Sequence, residues 1–254
     1  MKLLGKTAFI TGCNRGVGKT VCKNFIANGA NIICAVRKKT TEFSKYIKVL
    51  KKKYKTEIKV LEFDLGNEKE MIESLKSIYK ENLVIDILVN NAAVATGSIF
   101  EMTSIKNLKQ VFEINFFAQM NIIQKLLRFM KKSKNASIIN VGSAAGLLNQ
   151  RGTLAYGSSK AALMFSTKVM ANELALYKIR VNSIAPSAIN TDMFDQMNKK
   201  AKIELLNKTY LKKPFTKEKI ANKILYLASD QSLKINGKVI KIYGGMKNWV
   251  KKNK

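Results

Sequence analysis

The sequence predicts an α/β protein built on a doubly wound parallel sheet of seven strands flanked by helices. Short runs rich in Ile and Val alternate with longer segments of helical periodicity. Buried strands that alternate with helices of ten or more residues form right-handed βαβ units, and therefore a parallel sheet. The 254 residues are 46% hydrophobic and 25% charged, which is enough for one sizeable core, so we expect a single domain over residues 1–254.

Seven short apolar runs supply the strands, and two long amphipathic segments are the clearest helices, at 17–28 and 104–131. In a doubly wound sheet the ligand binds beyond the carboxyl ends of the strands. We therefore expect functional residues directly after the strands. The predicted strands are 7–11, 31–36, 58–63, 85–90, 137–142, 179–185 and 238–243.

The turn after the first predicted strand has the sequence TGCNRGVG, residues 11–18. A dinucleotide pyrophosphate requires a tight turn, a closely approaching backbone and a helix whose free N–H groups face the phosphates. Gly12 would open the turn, while Gly16 and Gly18 would clear the approach and the contact between helix and strand. The position between a strand and an amphipathic helix favours a Rossmann-type dinucleotide site over a merely structural turn.

The end of the second predicted strand indicates which dinucleotide binds. NAD sites usually carry an acid there for the ribose 2′-hydroxyl, but this strand ends in CAVRKK. Arg37, with Lys38 and Arg15, offers cations to a 2′-phosphate, although lysine is abundant throughout the chain. Arg15 and Arg37 are two of only five arginines. We therefore expect NADP (as NADPH) in preference to NAD.

Later strand ends carry further candidates. Asp64 could accept a hydrogen bond from an adenine amino group or could cap the next helix. The small residues of NNAAVATG, 90–97, would let backbone approach a ribose. Ser143 follows the fifth strand, and Tyr156 and Lys160 lie one helical turn apart in LAYGSSK. The chain has no histidine, so a proton carrier near neutral pH must come from another residue type.

The net charge of +29 has two interpretations. It could serve an anionic partner such as nucleic acid, a membrane surface or an acidic protein. Alternatively, it reflects a composition that fills solvated faces with lysine. Arginine is favoured in phosphate and base-edge recognition, and only five of the 46 basic residues are arginine. We favour compositional bias and expect neither a nucleic-acid nor a membrane partner.

Cys13, Cys22 and Cys34 show no spacing typical of a metal site, and their odd number argues against a disulfide framework. We expect small buried residues of a reducing compartment, and no metal. No run approaches the ~20 apolar residues that span a bilayer, and the apolar stretch at the N-terminus is too short for a signal peptide. These features predict a cytoplasmic, soluble protein.

Along nearly its whole length the chain resembles the short-chain dehydrogenases/reductases. The matching elements are the glycine turn, Asp64, NNAA, Asn115 in INFF, Ser143, YGSSK and IAPSAINTDM. The closing IANKILYLASD and GKVIKIYGGM are similar to the end of bacterial 3-oxoacyl-carrier-protein reductases. Because several independent motifs occur in the right order, the resemblance is highly specific.

The resemblance implies a catalytic set of four residues. Tyr156 would protonate the carbonyl oxygen as hydride arrives, and Lys160 would hold the nicotinamide ribose and lower the pKa of the phenol by its positive charge. Ser143 would hydrogen-bond the substrate carbonyl. Asn115 would position a water that links Lys160 to solvent.

The resemblance also implies the cofactor contacts. Ala93 stands where the family usually has glycine, and Ser187 replaces the glycine that usually follows Pro186. We expect these two changes to affect cofactor affinity more than mechanism. The expected contacts are Gly12, Asn14, Arg15, Gly16, Val17, Gly18, Arg37, Lys38, Asp64, Leu65, Asn91, Ala92, Ala93, Tyr156, Lys160, Pro186, Ile189 and Thr191.

Residues 188–215 would form a substrate lid with an apolar side and a lysine-rich side. This suits a 3-oxoacyl thioester of fatty acid synthesis, and it suits a helix packed on the core equally well. Carrier docking in the family implies a role for Lys131, Lys132 and Lys134, with partial support from Tyr177 and Lys178 at the second docking position. The family also implies a homotetramer.

Two other functions remain open. One is reduction of another carbonyl, such as a sugar-linked ketone in surface-glycan synthesis. The other is a cofactor-bearing regulator that binds nucleic acid, which predicts loss of a catalytic group and arginine on an exposed face. Neither sign of a regulator is present in the sequence.

Overall fold

A computed structural model describes residues 1–81, 83–197 and 199–245. Its seven strands form one sheet in the order β3-β2-β1-β4-β5-β6-β7, and every neighbouring pair is parallel. The doubly wound parallel fold is therefore confirmed, and each predicted strand is found to within two residues. The strands are β1 Thr7–Thr11, β2 Asn31–Val36, β3 Ile58–Glu62, β4 Ile87–Asn90, β5 Ala136–Val141, β6 Ile179–Pro186 and β7 Val239–Ile242.

The α-helices of the described residues alternate with the strands up to β6 and then cluster before β7. Short 3₁₀ turns occupy Phe100–Met102, Ala144–Gly146, Ala175–Tyr177 and Asp230–Ser232. The helices are α1 Gly16–Ala27, α2 Thr41–Tyr54, α3 Glu68–Glu81, α4 Ile105–Phe112, α5 Ala118–Met130, α6 Leu154–Glu173, α7 Asp192–Asp195, α8 Lys199–Asn207 and α9 Lys217–Ala228.

The sheet is the middle of three layers. Helices α1, α2 and α9 cover one face and pack on strand residues such as Ala8 and Ile10. Helices α3, α5 and the end of α6 cover the other face, where Phe9 points. Since both faces are covered, the strands are apolar at successive positions rather than at alternate ones.

The predicted helix over 104–131 is wrong as a single element. A π-helical turn, Glu113–Phe117, separates α4 from α5, and Asn115 lies in it fully buried. The Asn115 amide accepts a hydrogen bond from Val94 N and donates one to Val94 O, both at 2.9 Å. These bonds hold Asn115 against the segment after β4, which accounts for the local widening of the helix into a π turn. Single π turns of this kind are frequent at functional sites.

The segment predicted to form a lid leaves the sheet after β6 and returns at Phe215. Its two ends are joined, because Phe215 N donates to Ala188 O at 2.8 Å and Asn190 N donates to Phe215 O at 2.9 Å. Helices α7 and α8 lie between these ends, and residue 198 lies outside the described residues. Across the described ranges, none of the helices combines the length and apolar character needed to cross a bilayer.

The contact between β1 and α1 leaves no room for a side chain at position 18. A Cβ atom added to Gly18 would lie 2.1 Å from Gly12 O and 2.6 Å from Asn91 Nδ2. Such an approach is far inside van der Waals contact, so the chain can be this close only with glycine.

We expect Gly18→Ala to lower the free energy of unfolding by about 1–3 kcal/mol, because the new methyl group forces the turn away from α1. The matched control is Gly97→Ala, whose Cβ would have Gly152 O at 3.8 Å as its nearest neighbour. Urea unfolding of both variants checks the prediction. Equal stabilities for the two would contradict it.

Candidate active site

The carboxyl ends of β1 and β4 are joined by one threonine and one asparagine. Thr11 Oγ1 accepts hydrogen bonds from Asn91 N at 3.0 Å and Ala92 N at 2.9 Å. Asn91 Nδ2 donates to Thr11 O at 2.9 Å and, more weakly, to Gly12 O at 3.3 Å. The segment after β4 is therefore fixed beside the glycine turn.

The glycine turn has the geometry of an anion site. Gly12 and Gly16 have φ values of +73° and +55°, which favour glycine. Helix α1 begins with no side-chain cap and no acidic residue in its first turn, so its first N–H groups remain for another partner. Asn14 is half-buried in this turn, whereas Val17 is buried beneath it. These residues fit the pyrophosphate of a dinucleotide.

The exit of β2 carries the expected cations and one acid that the sequence argument missed. Arg37 and Lys38 are exposed just after β2. Glu62, at the end of β3, is opposite Val36 in the sheet register, and its Oε2 accepts a hydrogen bond from Lys39 N at 3.0 Å. A carboxylate is therefore held near the two cations. Only the pairing of β3 with β2 could have revealed it.

The end of β6 approaches the glycine turn from the other side. A Cβ atom added to Gly16 would have Thr191 Cγ2 as its nearest neighbour, at 3.6 Å. Arg15 forms an exposed ion pair with Asp192 at 3.8 Å. An exposed pair of this kind is weak, about 0–1 kcal/mol, so it only loosely directs Arg15 toward α7. Ile189 lies half-buried between these contacts and the bridge to Phe215.

Asp64 does not cap the next helix. Its Oδ1 accepts a hydrogen bond from Gly66 N at 2.8 Å, which closes the turn after β3. The side chain that caps α3 is Asn67, whose Oδ1 accepts from Glu70 N at 3.2 Å. Leu65 is buried in the core. The capping alternative is thus wrong, and a half-buried carboxylate stays at the sheet edge.

The two departures from the family pattern cause no backbone strain. Ala93 and Ser187 are absent from the positive-φ residues of the described chain. Ser187 N donates to Ile242 O at 2.9 Å, which continues the pairing of Pro186 with β7. A side chain is therefore compatible with both positions.

Ser143, Tyr156 and Lys160 come together where β5 ends and α6 begins. The side chain of Ser143 lies close enough to the Tyr156 phenol to lower the pKa of that group, and Ser143 Oγ accepts a hydrogen bond from Ala145 N at 3.2 Å. Lys160 Nζ lies 5.9 Å from the centre of the Tyr156 ring. It donates to Val141 O at 2.7 Å, so the ammonium is held against the end of β5.

Burial governs the protonation of this pair. Lys160 is 2% exposed, and burial lowers its pKa to about 7. Burial also raises the pKa of Tyr156, and the hydrogen bond with Ser143 acts in the opposite direction. The upward shift of the Tyr156 pKa is opposite to the lowering expected from Lys160, because a low dielectric disfavours both the ammonium and the phenolate.

Asn115 reaches the same helix from the π turn. Its Nδ2 donates to Ser159 Oγ at 3.0 Å, and Ser159 Oγ donates to Tyr156 O at 2.8 Å. This chain of bonds connects the segment after β4 to the first turns of α6. Asn115 is thus linked by hydrogen bonds to the backbone of Tyr156, whereas Lys160, one turn further along α6, is bonded to Val141 O.

A cleft beside these residues was not anticipated. A cavity of about 900 Å³ lies between the Ser98–Glu101 segment and the loop that leads into α6, and Ala145 and Gly157 line its inner end. Leu147, Leu148 and Leu154 give it apolar walls, and Arg151 is its one lysine or arginine. None of the described residues of the predicted lid lines this cleft. Neither loop has a periodic pattern that would have indicated a cleft.

The parallel sheet, the glycine turn and the Ser–Tyr–Lys cluster define a nucleotide-dependent oxidoreductase that acts on alcohol and carbonyl groups. The model of the family described as short chain dehydrogenase matches residues 6–202. The chain belongs to this family, and the family binds NAD(P).

Similar proteins cover almost the whole chain. The 3-oxoacyl-[acyl-carrier-protein] reductase of Thermotoga maritima is 34% identical over 97% of this chain and 99% of its own length. The corresponding reductase of Aquifex aeolicus is 31% identical with the same coverage. Among solved structures, 4-hydroxyisoleucine dehydrogenase complexed with NADH is 28% identical, with a TM-score of 0.86 over 96% of this chain and 99% of that one.

We expect the burial of Lys160 to appear in the pH dependence of stability. Between pH 7 and about 10 the unfolded chain holds a proton on this lysine that the folded chain has lost, so stability rises with pH across that window. Relative to Lys160→Met, the free energy of unfolding of the unmodified protein should rise by about 1 kcal/mol per pH unit between pH 7.5 and 9.5.

Denaturant unfolding of both proteins at several pH values measures this difference. Comparison with the variant removes the contribution that the other lysines share. A difference that stays constant with pH would show that Lys160 keeps its ordinary pKa in the folded protein, and one that falls with pH would show a raised pKa; either result would contradict the prediction.

Proposed function

We propose that this protein reduces a ketone to an alcohol with NADPH, and that its substrate is a 3-oxoacyl thioester of fatty acid synthesis in the cytoplasm. The observation that carries the proposal is the grouping of Ser143, Tyr156 and Lys160 where β5 ends and α6 begins, with Lys160 Nζ 5.9 Å from the centre of the Tyr156 ring. The relatives named as 3-oxoacyl-[acyl-carrier-protein] reductases support the thioester.

The glycine turn, the uncapped start of α1 and the segment after β4 would hold the dinucleotide. Its phosphates would lie at the N-terminus of α1, and Asp64 at the end of β3 is suited to the adenine. The bound nicotinamide supplies the hydride. Lys160, buried below this edge, would hydrogen-bond the nicotinamide ribose.

The protein's own groups supply the proton. Tyr156 Oη donates it to the carbonyl oxygen of the substrate, because the raised pKa keeps the phenol protonated at neutral pH. Ser143 donates a hydrogen bond to the same oxygen and so stabilises negative charge that develops there. Asn115 keeps α6 in register through Ser159 and holds the water path by which Lys160 is resupplied.

The cleft is lined by Ala145 and Gly157, close in sequence to Ser143 and Tyr156, and supports a substrate with an apolar chain. Its leucine walls suit an acyl chain; Arg151 in the lining suits a phosphate or carboxylate, and Glu101 in the same lining is the opposing charge. Arg151 equally favours the second candidate, a ketone on a sugar carrying an anionic group. The relative named 4-hydroxyisoleucine dehydrogenase indicates that polar substrates occur among similar folds.

Docking of an acidic acyl carrier is supported by a basic surface at the opposite end of α6. Lys131 Nζ lies 3.5 Å from the centre of the Tyr177 ring, so the two expected docking positions are in contact, with exposed Lys134 and Lys178 nearby in sequence. The 20 residues of α6 span about 30 Å. A carrier docked there would lie about that distance from the end of α6 that carries Tyr156.

An exposed apolar face supports assembly into a homotetramer. Helix α6 buries Leu163 and Met164 toward the sheet, yet Phe165 is 69% and Val169 40% exposed on its other side. Phe117, at the start of α5, is 54% exposed. A helix that is apolar all round is normally buried, so we propose that a second copy covers this face.

We expect the protein to oxidise NADPH in the presence of an acetoacetyl thioester, and Tyr156→Phe to slow kcat by about 10²–10⁴-fold, because the proton donor is lost. The matched control is Tyr226→Phe on α9, which removes the same hydroxyl far from the site and should leave kcat unchanged. The loss of NADPH absorbance measures both. Full activity of Tyr156→Phe would overturn the mechanism. Tight NADPH binding without turnover would move the substrate to the sugar-linked class.

We expect Arg37→Gln to raise the KM for NADPH about 10–100-fold and to leave the KM for NADH nearly unchanged, because a charged hydrogen bond to the 2′-phosphate is lost. Lys52→Gln, which removes one exposed charge at the far end of α2, is the control. Steady-state kinetics with both cofactors separates the cases. If the unmodified protein prefers NADH, then Glu62 rather than Arg37 decides the choice, and the NADPH proposal fails.

A further inference from the structure

Three cysteines from three different elements of the fold lie together in the core. Cys13 lies in the glycine turn, Cys22 on α1 and Cys34 on β2. Their three Sγ atoms all lie within 4.8 Å of one another, and those of Cys22 and Cys34 are 3.7 Å apart. All three side chains are fully buried as thiols, outside any disulfide. We call these residues the thiol cluster.

The distances suit three bonds to one central atom. An ion about 2.3 Å from each sulfur, the length of a zinc–thiolate bond, places the sulfurs about 3.5–4 Å apart. The separation of Cys22 and Cys34 already falls in this range. Small side-chain rotations would bring Cys13 Sγ, which now donates to Ile10 O at 2.9 Å, to the same centre.

The thiol cluster offers an ion only sulfur atoms as ligands. No carboxylate joins this cluster among the described residues, and the sequence contains no histidine. Thiolates without oxygen or nitrogen partners select soft ions. Structural zinc sites need four protein ligands, and the cluster provides three.

The net charge of the three thiolates and their ion restricts the choice of ion further, because the surroundings are apolar. Val21, Phe25 and Ile10 belong to the same core cluster as the three cysteines. Three thiolates around a monovalent ion leave a net charge of −2, and around a divalent ion −1, which are costly to bury. Around a trivalent ion the net charge is zero. A trivalent thiophilic ion is therefore the class that fits both the donors and the burial.

We propose that Cys13, Cys22 and Cys34 form a three-sulfur site for a trivalent thiophilic ion of the arsenic(III) type. In the binding step, neutral arsenous acid forms three As–S bonds while three As–O bonds break. The three thiol protons leave with the three hydroxyls as three water molecules, and no oxidation state changes. Because arsenous acid is uncharged, it can enter the core during local opening of α1.

The bound ion would join the glycine turn, α1 and β2 at one point. Gly12, beside Cys13, donates its N–H to Ala35 O at 2.8 Å, so these elements already pack tightly. A ligand that binds only the folded chain raises its melting temperature. This inference does not depend on which carbonyl compound the protein reduces.

The test is an arsenite titration of the full, reduced chain after removal of the reductant. We expect one arsenic per chain after desalting, a rise of the melting temperature by a few degrees, and three sulfur neighbours in the X-ray absorption spectrum of arsenic. The chain contains only these three cysteines, so every thiol consumed belongs to the cluster. Two sulfurs and an oxygen around arsenic, or no retained arsenic, would overturn the proposal.

Variants of the cluster give a second test. Cys13→Ala, Cys22→Ala and Cys34→Ala should each weaken arsenite binding at least 10-fold, since a two-sulfur site remains. Val21→Ala, which disturbs the same core but keeps all three thiols, should bind arsenite like the unmodified protein. Should a cysteine variant fail to fold, the sulfur count in the unmodified protein still decides. Binding of zinc(II) in preference to arsenite would contradict the charge argument.

Discussion

The site depends on the hydrogen bonds that join the ends of β1 and β4. Thr11 Oγ1 accepts from two successive backbone N–H groups after β4, and Asn91 returns a bond to the carbonyl of Thr11. The glycine turn is thereby fixed against the segment whose Val94 backbone holds Asn115. Through Ser159, Asn115 then fixes the start of α6. One pair of strand ends thus connects the nucleotide half of the site with the half that carries Tyr156.

The burial of one lysine, rather than the number of positive charges in the chain, determines the chemistry of the site. The chain is rich in lysine, yet among the described residues Lys160 alone of the lysines is buried. The surface lysines share a high-dielectric solvent and act together as a diffuse positive field. Lys160, by contrast, is held at Val141 O with its pKa lowered to about 7. A single desolvated ammonium can therefore respond to a nearby ligand in a way that the surface charges cannot.

The fold and most of the site were predictable because they are encoded locally. Apolar runs located all seven strands, and the spacing of Gly12, Gly16 and Gly18 located the turn. What failed depends on contacts between distant segments. Glu62 reaches the end of β2 only through the register of β3 with β2, which pairs it with Val36. The bonds of Asn115 to Val94 interrupt a helix that the periodicity of the segment predicts. The thiol cluster likewise arises because α1 packs over β1 and β2. The spacing of the three cysteines in the sequence does not predict that they lie close together.

The burial of Lys160 also makes the protein favourable for spectroscopy of proton transfer. A chain without histidine has no imidazole resonances or imidazole titration to mask an event between pH 5 and 8. An ammonium with a pKa of about 7 titrates in the range that imidazoles would otherwise occupy. Selective ¹⁵N labelling of lysine would follow the charge state of this one amine directly, as ligands enter the site and as the phenol beside it gains or loses its proton.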